Sequence, residues 1–230
     1  MRSLIDNKDK FEVLEEMNLD SKFEVLGYYN KEGNIFNQVK ITLDESKIKI
    51  AENNLSYFKG DIEIVTNSAI KTISNKIFGS MVKKTTDKTI LTGSGEVYLI
   101  PSLKDYTLIE LVEEEIIINS NMFLVCEGQI NIEEIEEVTN EAIFSEDNER
   151  KEKIRLSGSG IVALSLPVKK DEIKRMKIFR DVVSFKEDKV ILRTENVEFE
   201  LEDSETKEGK FNIYSGSGEL WICDGMNIIK

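Results

Sequence analysis

A ten-residue pattern, met three times, constrains this chain more than any other feature. It reads LTGSGEVYLI from Leu91 to Ile100, LSGSGIVALS from Leu156 to Ser165, and YSGSGELWIC from Tyr214 to Cys223. Each copy has a large residue, Thr or Ser, Gly-Ser-Gly, and then an alternating tail. Val97, Val162 and Leu220 align, as do Leu99, Leu164 and Ile222. Side chains two positions apart share one face of a strand. A fixed order of apolar positions, used three times, specifies one β unit repeated along the chain.

The residues upstream repeat as well. Ile41, Leu43, Ile48 and Ile50 correspond to Ile109, Leu111, Ile116 and Ile118, each 68 positions later. Leu55, Tyr57, Gly60, Ile62 and Ile64 correspond in the same way to Phe123, Val125, Gly128, Ile130 and Ile132. A further shift of 67 reaches Met176, Ile178, Val183, Phe185, Val190, Leu192, Val197 and Phe199, with Glu195 in place of the glycine. Apolar residues at period two predict short strands with one buried face, joined by polar turns such as Glu52-Asn53-Asn54. The units span residues 38–104, 105–172 and 173–230, and no low-complexity linker separates them. Residues 1–37 form an N-terminal extension that closes one edge of the β body. Within it, Phe11, Leu14 and Met17 have helical spacing, and any helix is expected there; Phe23 to Tyr29 reads as a strand. The charged stretches Met81 to Lys88, Glu133 to Lys153 and Glu202 to Lys210 read as strands or hairpins with solvated tips.

Gly-Ser-Gly between two strand-like runs predicts a structural turn or bulge at Gly93, Gly95, Gly158, Gly160, Gly216 and Gly218. Glycine accepts positive φ and lets another backbone approach closely. A phosphate cradle would need a third glycine and a following helix, and EVYLI, IVALS and ELWIC are not helical.

Composition narrows the function classes. The 230 residues contain no His, which removes Ser-His-Asp and Cys-His catalysis and the commonest metal ligand. The net charge of −13 opposes binding to nucleic acid or anionic membrane. Cys126 and Cys223 are far apart, lack a CxxC spacing, and read as reduced thiols of a cytoplasmic protein. No apolar run approaches the ~20 residues that cross a bilayer, so no membrane insertion is expected.

Taken together, Thr92-Gly93-Ser94-Gly95, Ser157-Gly158-Ser159-Gly160 and Ser215-Gly216-Ser217-Gly218, with upstream strand pairs such as VKITLDESKIKI, resemble the altered-inheritance-of-mitochondria twenty-four family. The resemblance covers about Gln38 to Asp224. Family members often carry Pro between the two glycines, where this chain has Ser. The resemblance implies an all-β fold similar to the tryptophan-RNA-binding attenuator protein: three short double-stranded β-helix units around a pseudo-threefold axis. It supplies no catalytic residues, and neither a cofactor nor a metal is expected.

Three further groups are candidates. Lys169, Lys170, Lys174, Arg175 and Lys177, with Arg180, form the one basic island, which suits a phosphate group or RNA backbone. Asp171 and Glu172 interrupt it and favour a solvated connector with local ion pairs. Glu113-Glu114-Glu115 and the run from Glu133 to Glu141 lack the spacing of a calcium loop and read as solvated faces. Tyr98 and Trp221 sit on outward positions beside the motif and suit a contact surface between copies, or core packing between units. The resulting expectation is a non-enzymatic assembly or interaction module, homo-oligomeric and open to protein partners. The alternative is a protein that binds a small ligand or RNA in a groove between units or subunits.

Overall fold

A computed structural model describes residues 11–65, 88–137, 151–203 and 210–223. The parts of the charged stretches at 81–87, 138–150 and 204–209, expected to hold solvated tips, lie outside the described residues. Among the described residues the chain is all-β, with two single turns of 3-10 helix at Ser120–Met122 and Lys170–Glu172. Among the described residues no helix is long and apolar enough to cross a membrane.

Thirteen strands follow in order: β1 (Phe11–Asn18), β2 (Ser21–Tyr29), β3 (Ile35–Ile50), β4 (Leu55–Val65), β5 (Thr89–Leu99), β6 (Tyr106–Asn119), β7 (Phe123–Glu127), β8 (Asn131–Glu137), β9 (Lys151–Ser165), β10 (Ile173–Phe185), β11 (Val190–Thr194), β12 (Val197–Asp203) and β13 (Lys210–Cys223). The pairings are antiparallel, and the sheet runs β1-β2-β3-β7-β9-β6-β11-β13-β10, with β4 and β5, β8, and β12 branching from it. It is open at β1 and at β10.

The helix expected near Phe11 does not form. β1 pairs along its length with β2, so the ladder bonds the backbone groups that a helix would have bonded internally. β2 in turn covers one edge of β3, from Ser21 opposite Leu43 to Tyr29 opposite Ile35. β1 and β2 thus form a hairpin beside β3.

Three long strand pairs carry the repeated sequence in one register. Ile41 faces Val97 in β3–β5, Ile109 faces Val162 in β6–β9, and Met176 faces Leu220 in β10–β13. Each ladder shifts register once, between Leu43 and Ser46, Leu111 and Glu114, and Phe179 and Asp181. At each shift a non-glycine residue has positive φ: Glu45 at 48°, Glu113 at 53° and Arg180 at 49°. The glycines face these bulges from inside continuous strands. The expected turn is thus absent: β5, β9 and β13 run straight through Gly-Ser-Gly, and the extra residue sits on the facing strand.

The pairs are linked by shorter strands. β7 lies on the C-terminal half of β3 and also pairs with β9. β11 lies on the C-terminal half of β6 and also pairs with β13. Apolar side chains fill three clusters: one includes Ile41, Ile48 and Leu91, a second Ile116, Ile118 and Leu156, a third Val197, Tyr214 and Leu220. The period-two stripe is not buried everywhere. Tyr57 and Ile64 on β4 and Met176 on β10 are exposed, and among the described residues neither strand has a neighbour on its outer edge.

The glycines make a graded prediction. Gly158 has φ of 117°, and an added Cβ would meet nothing closer than the Gln129 carbonyl oxygen at 3.6 Å. Gly158→Ala therefore costs backbone strain alone, about 1–2 kcal/mol. Gly216 has φ of 125°, and its Cβ would overlap the Asn196 carbonyl oxygen. Gly216→Ala is expected to cost about 3 kcal/mol or more, since strain and displaced backbone add. Urea unfolding of both variants checks the order; equal midpoints would show that close approach is not the constraint.

Candidate functional site

The motif serines have one job in all three pairs. Ser94 Oγ accepts the Glu45 N–H at 2.9 Å, Ser159 Oγ accepts the Glu113 N–H at 3.0 Å, and Ser217 Oγ accepts the Arg180 N–H at 2.9 Å. These donors belong to the positive-φ residues, whose amides have left the ladder. The hydroxyl restores the lost partner. Each motif is thus engaged with its own backbone, which fits the structural reading of Gly-Ser-Gly over the anion cradle.

The residue after the second and third motifs shows a further recurrence, one the sequence reading missed. Glu127 Oε2 accepts the Ile161 N–H at 3.0 Å, and Thr194 Oγ1 accepts the Glu219 N–H at 3.0 Å. Glu127 is fully buried, and its Oε1 also accepts the Ser21 N–H at 2.8 Å. One carboxylate thereby ties β7, β9 and the start of β2 together. Burial pushes its acidity weaker than an ordinary Glu, and the backbone donors from Ile161 and Ser21 partly offset this. The available signal was a charged residue closing the apolar run Phe123-Leu124-Val125-Cys126, at the position that aligns with Thr194.

The basic island is dispersed. Lys169 Nζ bonds Asp105 at 3.2 Å, and Lys170 Nζ bonds Glu15 at 2.9 Å. Asp105 also accepts the Lys170 N–H at 3.0 Å. The Arg175 guanidinium lies 4.2 Å from the centre of the Trp221 ring. Lys174 and Lys177 are exposed on β10. The local ion pairs expected of a connector are present at the first two lysines.

Tyr98 and Trp221 separate. Trp221 does not face outward: it is 5% exposed and sits in the second cluster with Leu192 and Ile118. The reason is β11, which brings Leu192 opposite both Ile118 and Trp221. Tyr98 is half-buried and stacks on exposed Tyr57, ring centres 4.5 Å apart, with its hydroxyl donating to Glu96 at 3.0 Å. Burial and that carboxylate push the Tyr98 phenol up to about 12. Lys59 and Lys40, 2.6 and 2.9 Å from Glu96, hold its carboxyl down to about 2.

A cleft of about 620 Å³ opens beside the second bulge, lined by Glu113, Glu115, Lys177, Phe179, Glu195 and Ser217 among others. Glu115 is occupied by Arg155, 2.7 Å away, which also holds Glu133 at 3.0 Å. Among the described residues no three Cys, Asp or Glu side chains converge as a metal site. Both cysteines are buried, and burial pushes the Cys126 thiol up to about 12, far from a nucleophile's range.

A sequence profile of the family described as mitochondrial biogenesis AIM24 matches residues 29–224. No curated protein matches the chain. The fold is similar to that of a Streptococcus pyogenes protein solved by X-ray crystallography, with a TM-score of 0.60. The two are 15% identical, and the match covers 89% of this chain and 94% of that one. At that identity the likeness speaks for the fold alone.

Two substitutions separate the buried acceptor from the exposed ones. Glu127→Ala leaves the Ser21 and Ile161 amides without an acceptor and is expected to cost about 1–3 kcal/mol for each. Ser159→Ala removes a single exposed bond and is expected to cost about 0.5–1.5 kcal/mol. Denaturant midpoints measure both. Acid titration tests Glu96: its folded carboxyl is more acidic than the unfolded one, so its contribution is complete above pH ~4.5 and fades as pH falls towards ~2. Glu96→Gln should flatten that part of the stability profile. An unchanged slope would show that the Lys40 and Lys59 contacts do not act in solution.

Proposed function

The chain belongs to the mitochondrial biogenesis AIM24 family, and from that membership we propose a non-enzymatic module that assembles with further copies of itself. Its body is three short double-stranded β-helix units, residues 38–104, 105–172 and 173–230, arranged about a pseudo-threefold axis. The shared register of β3–β5, β6–β9 and β10–β13, with a bulge and a serine bond at the same place in each, supports the triplication. A cytoplasmic setting belongs to the same reading, and the scarcity of cysteine, two residues without a CxxC spacing, supports it.

One observation carries the assembly role. β4 and β10 expose apolar side chains along edges that are unpaired among the described residues: Tyr57 and Ile64 on the first, Phe179 and Val182 on the second. An exposed edge of that kind is a template for another strand unless charge or cover blocks it. The motif and the buried carboxylate, by contrast, are engaged with backbone and offer no reacting group.

A second reading places a small ligand in the cleft beside Phe179 and Ser217. Glu113, Glu195 and Glu219 at that cleft oppose RNA phosphates and favour a cationic ligand. A raised absorbance ratio in the protein as purified would favour nucleotide or RNA after all.

Light scattering behind a sizing column is expected to give a mass above 26.3 kDa at micromolar concentration. A monomer at every concentration would overturn the assembly role.

A further inference from the structure

Two strands repeat the form of docked strands and, among the described residues, have no neighbour on their outer edge. β7 lies on β3 with Ile48 opposite Glu127, Lys49 opposite Cys126 and Ile50 opposite Val125. β11 lies on β6 with Ile116 opposite Thr194, Ile117 opposite Arg193 and Ile118 opposite Leu192. One more bond closes each contact: the Gly128 N–H donates to the Lys47 carbonyl at 2.7 Å, and the Glu195 N–H donates to the Glu115 carbonyl at 3.0 Å. By the alignment of the sequence repeats these are the same contact, one repeat apart. The third copy of each half also exists. Val183–Phe185 on β10 corresponds to Ile48–Ile50 and Ile116–Ile118, and Tyr57–Lys59 on β4 corresponds to Val125–Glu127 and Leu192–Thr194. Yet among the described residues β10 pairs with β13 only and β4 with β5 only.

Both halves are already held in the docking form. On its inner side β4 has Leu55 opposite Leu99, Tyr57 opposite Tyr98 and Phe58 opposite Val97. That matches Phe123 opposite Leu164, Val125 opposite Ala163 and Cys126 opposite Val162 in β7, with the register shift at the same place. β10 has Val183 opposite Tyr214, as β3 has Ile48 opposite Leu91. The contrast lies in exposure. β7 is buried throughout, whereas on the unpaired edges Tyr57 is 52% and Val182 61% exposed.

Resting on the assembly reading above, we infer that β10 of one copy adds to β4 of a second copy, head to tail, in this inherited register. Val183 then lies opposite Lys59, Ser184 opposite Phe58 and Phe185 opposite Tyr57, and the Gly60 N–H donates to the Val182 carbonyl. The occupant is a second copy because each free edge is the complement of the other, and every chain carries both. Such a contact is heterologous, so copies continue into a ring or an open row according to the rotation between them.

Two variants test the register. Lys47 and Ala51 bond outward to the docked β7, so by alternation the backbone of Ser184, the counterpart of Lys49, faces the open edge of β10. Ser184→Pro removes one outward donor, and an edge strand tolerates that loss in the single chain. Its circular dichroism and melting temperature are expected to match the parent, while light scattering gives a lower mass. Independently, full-length chains carrying Val183→Cys are mixed with full-length chains carrying Lys59→Cys under mild oxidation. Facing residues at a non-hydrogen-bonded site lie about 4.5 Å apart, within the span of a disulfide. The mixture is expected to yield a cross-link of twice the chain mass, and each variant alone is not. An oligomer that neither variant touches would overturn this contact and leave the assembly role standing. A monomeric parent would overturn both. A chain carrying both cysteines that closes on itself as a monomer would overturn the second copy as the occupant.

Discussion

The bond from a motif serine to a bulged amide is the constraint on which the long strand pairs depend. A bulge turns one amide out of its ladder, and a non-glycine residue at φ near 50° adds strain of about 1–3 kcal/mol. The serine hydroxyl supplies the missing acceptor from the facing strand. The glycines beside it let the bulged and neighbouring strands come close: an added Cβ at Gly93 would overlap the Asp61 carbonyl oxygen, and one at Gly216 that of Asn196. The three parts form one device. A side chain at Gly93 or Gly216 would push the strands apart, and removing the serine would leave the bulged amide without its acceptor.

The bulge also decides how the units meet. It bends each long strand between its two halves, so that the first half of β3 takes β2 and the second half takes β7. At the next junction β11 takes the second half of β6, and Leu192 brings Trp221 into the core of the preceding unit. Where β7 leaves β9, the Ile161 amide loses its ladder partner, and buried Glu127 accepts it together with the Ser21 amide. Thr194 fills that place at the following junction with a shorter side chain and one bond. β4, which among the described residues docks on nothing, runs on past Gly60 without the break that separates β7 from β8. The break is therefore tied to docking: a strand held by a neighbour leaves its own ladder, and a free one does not.

The same logic accounts for the distribution of function-bearing chemistry. Charged side chains gather on faces where they neutralise one another, as Glu96 does with Lys40 and Lys59, and Arg155 with Glu115 and Glu133. Such clusters hold strands in register at the surface. Apolar side chains left in solvent include Tyr57, Ile64 and Val65 on β4 and Met176, Phe179 and Val182 on β10, beside others such as Val13 and Leu14 on β1 and Val112 on β6.

The sequence by itself determined the β character and displays three aligned copies of the Gly-Ser-Gly pattern. The β character follows from side-chain period, which acts within a few residues. It also carried the resemblance that placed the chain in its family. Tertiary structure decided the rest. Phe11, Leu14 and Met17 suited a helix, but a strand edge on β2 was there to pair with, and local spacing does not report that edge. Trp221 stood on an alternating position that reads as outward, and β11 from a distant stretch covered it. Glu127 looked like one acid among 44, because burial and the two amides it serves come from residues 34 and 106 positions away. Tyr57 and Met176 looked like core by period, yet they are exposed, and among the described residues β4 and β10 have no neighbour on their outer edges. Period fixes which side chains share a face; whether anything covers that face depends on contacts between distant segments.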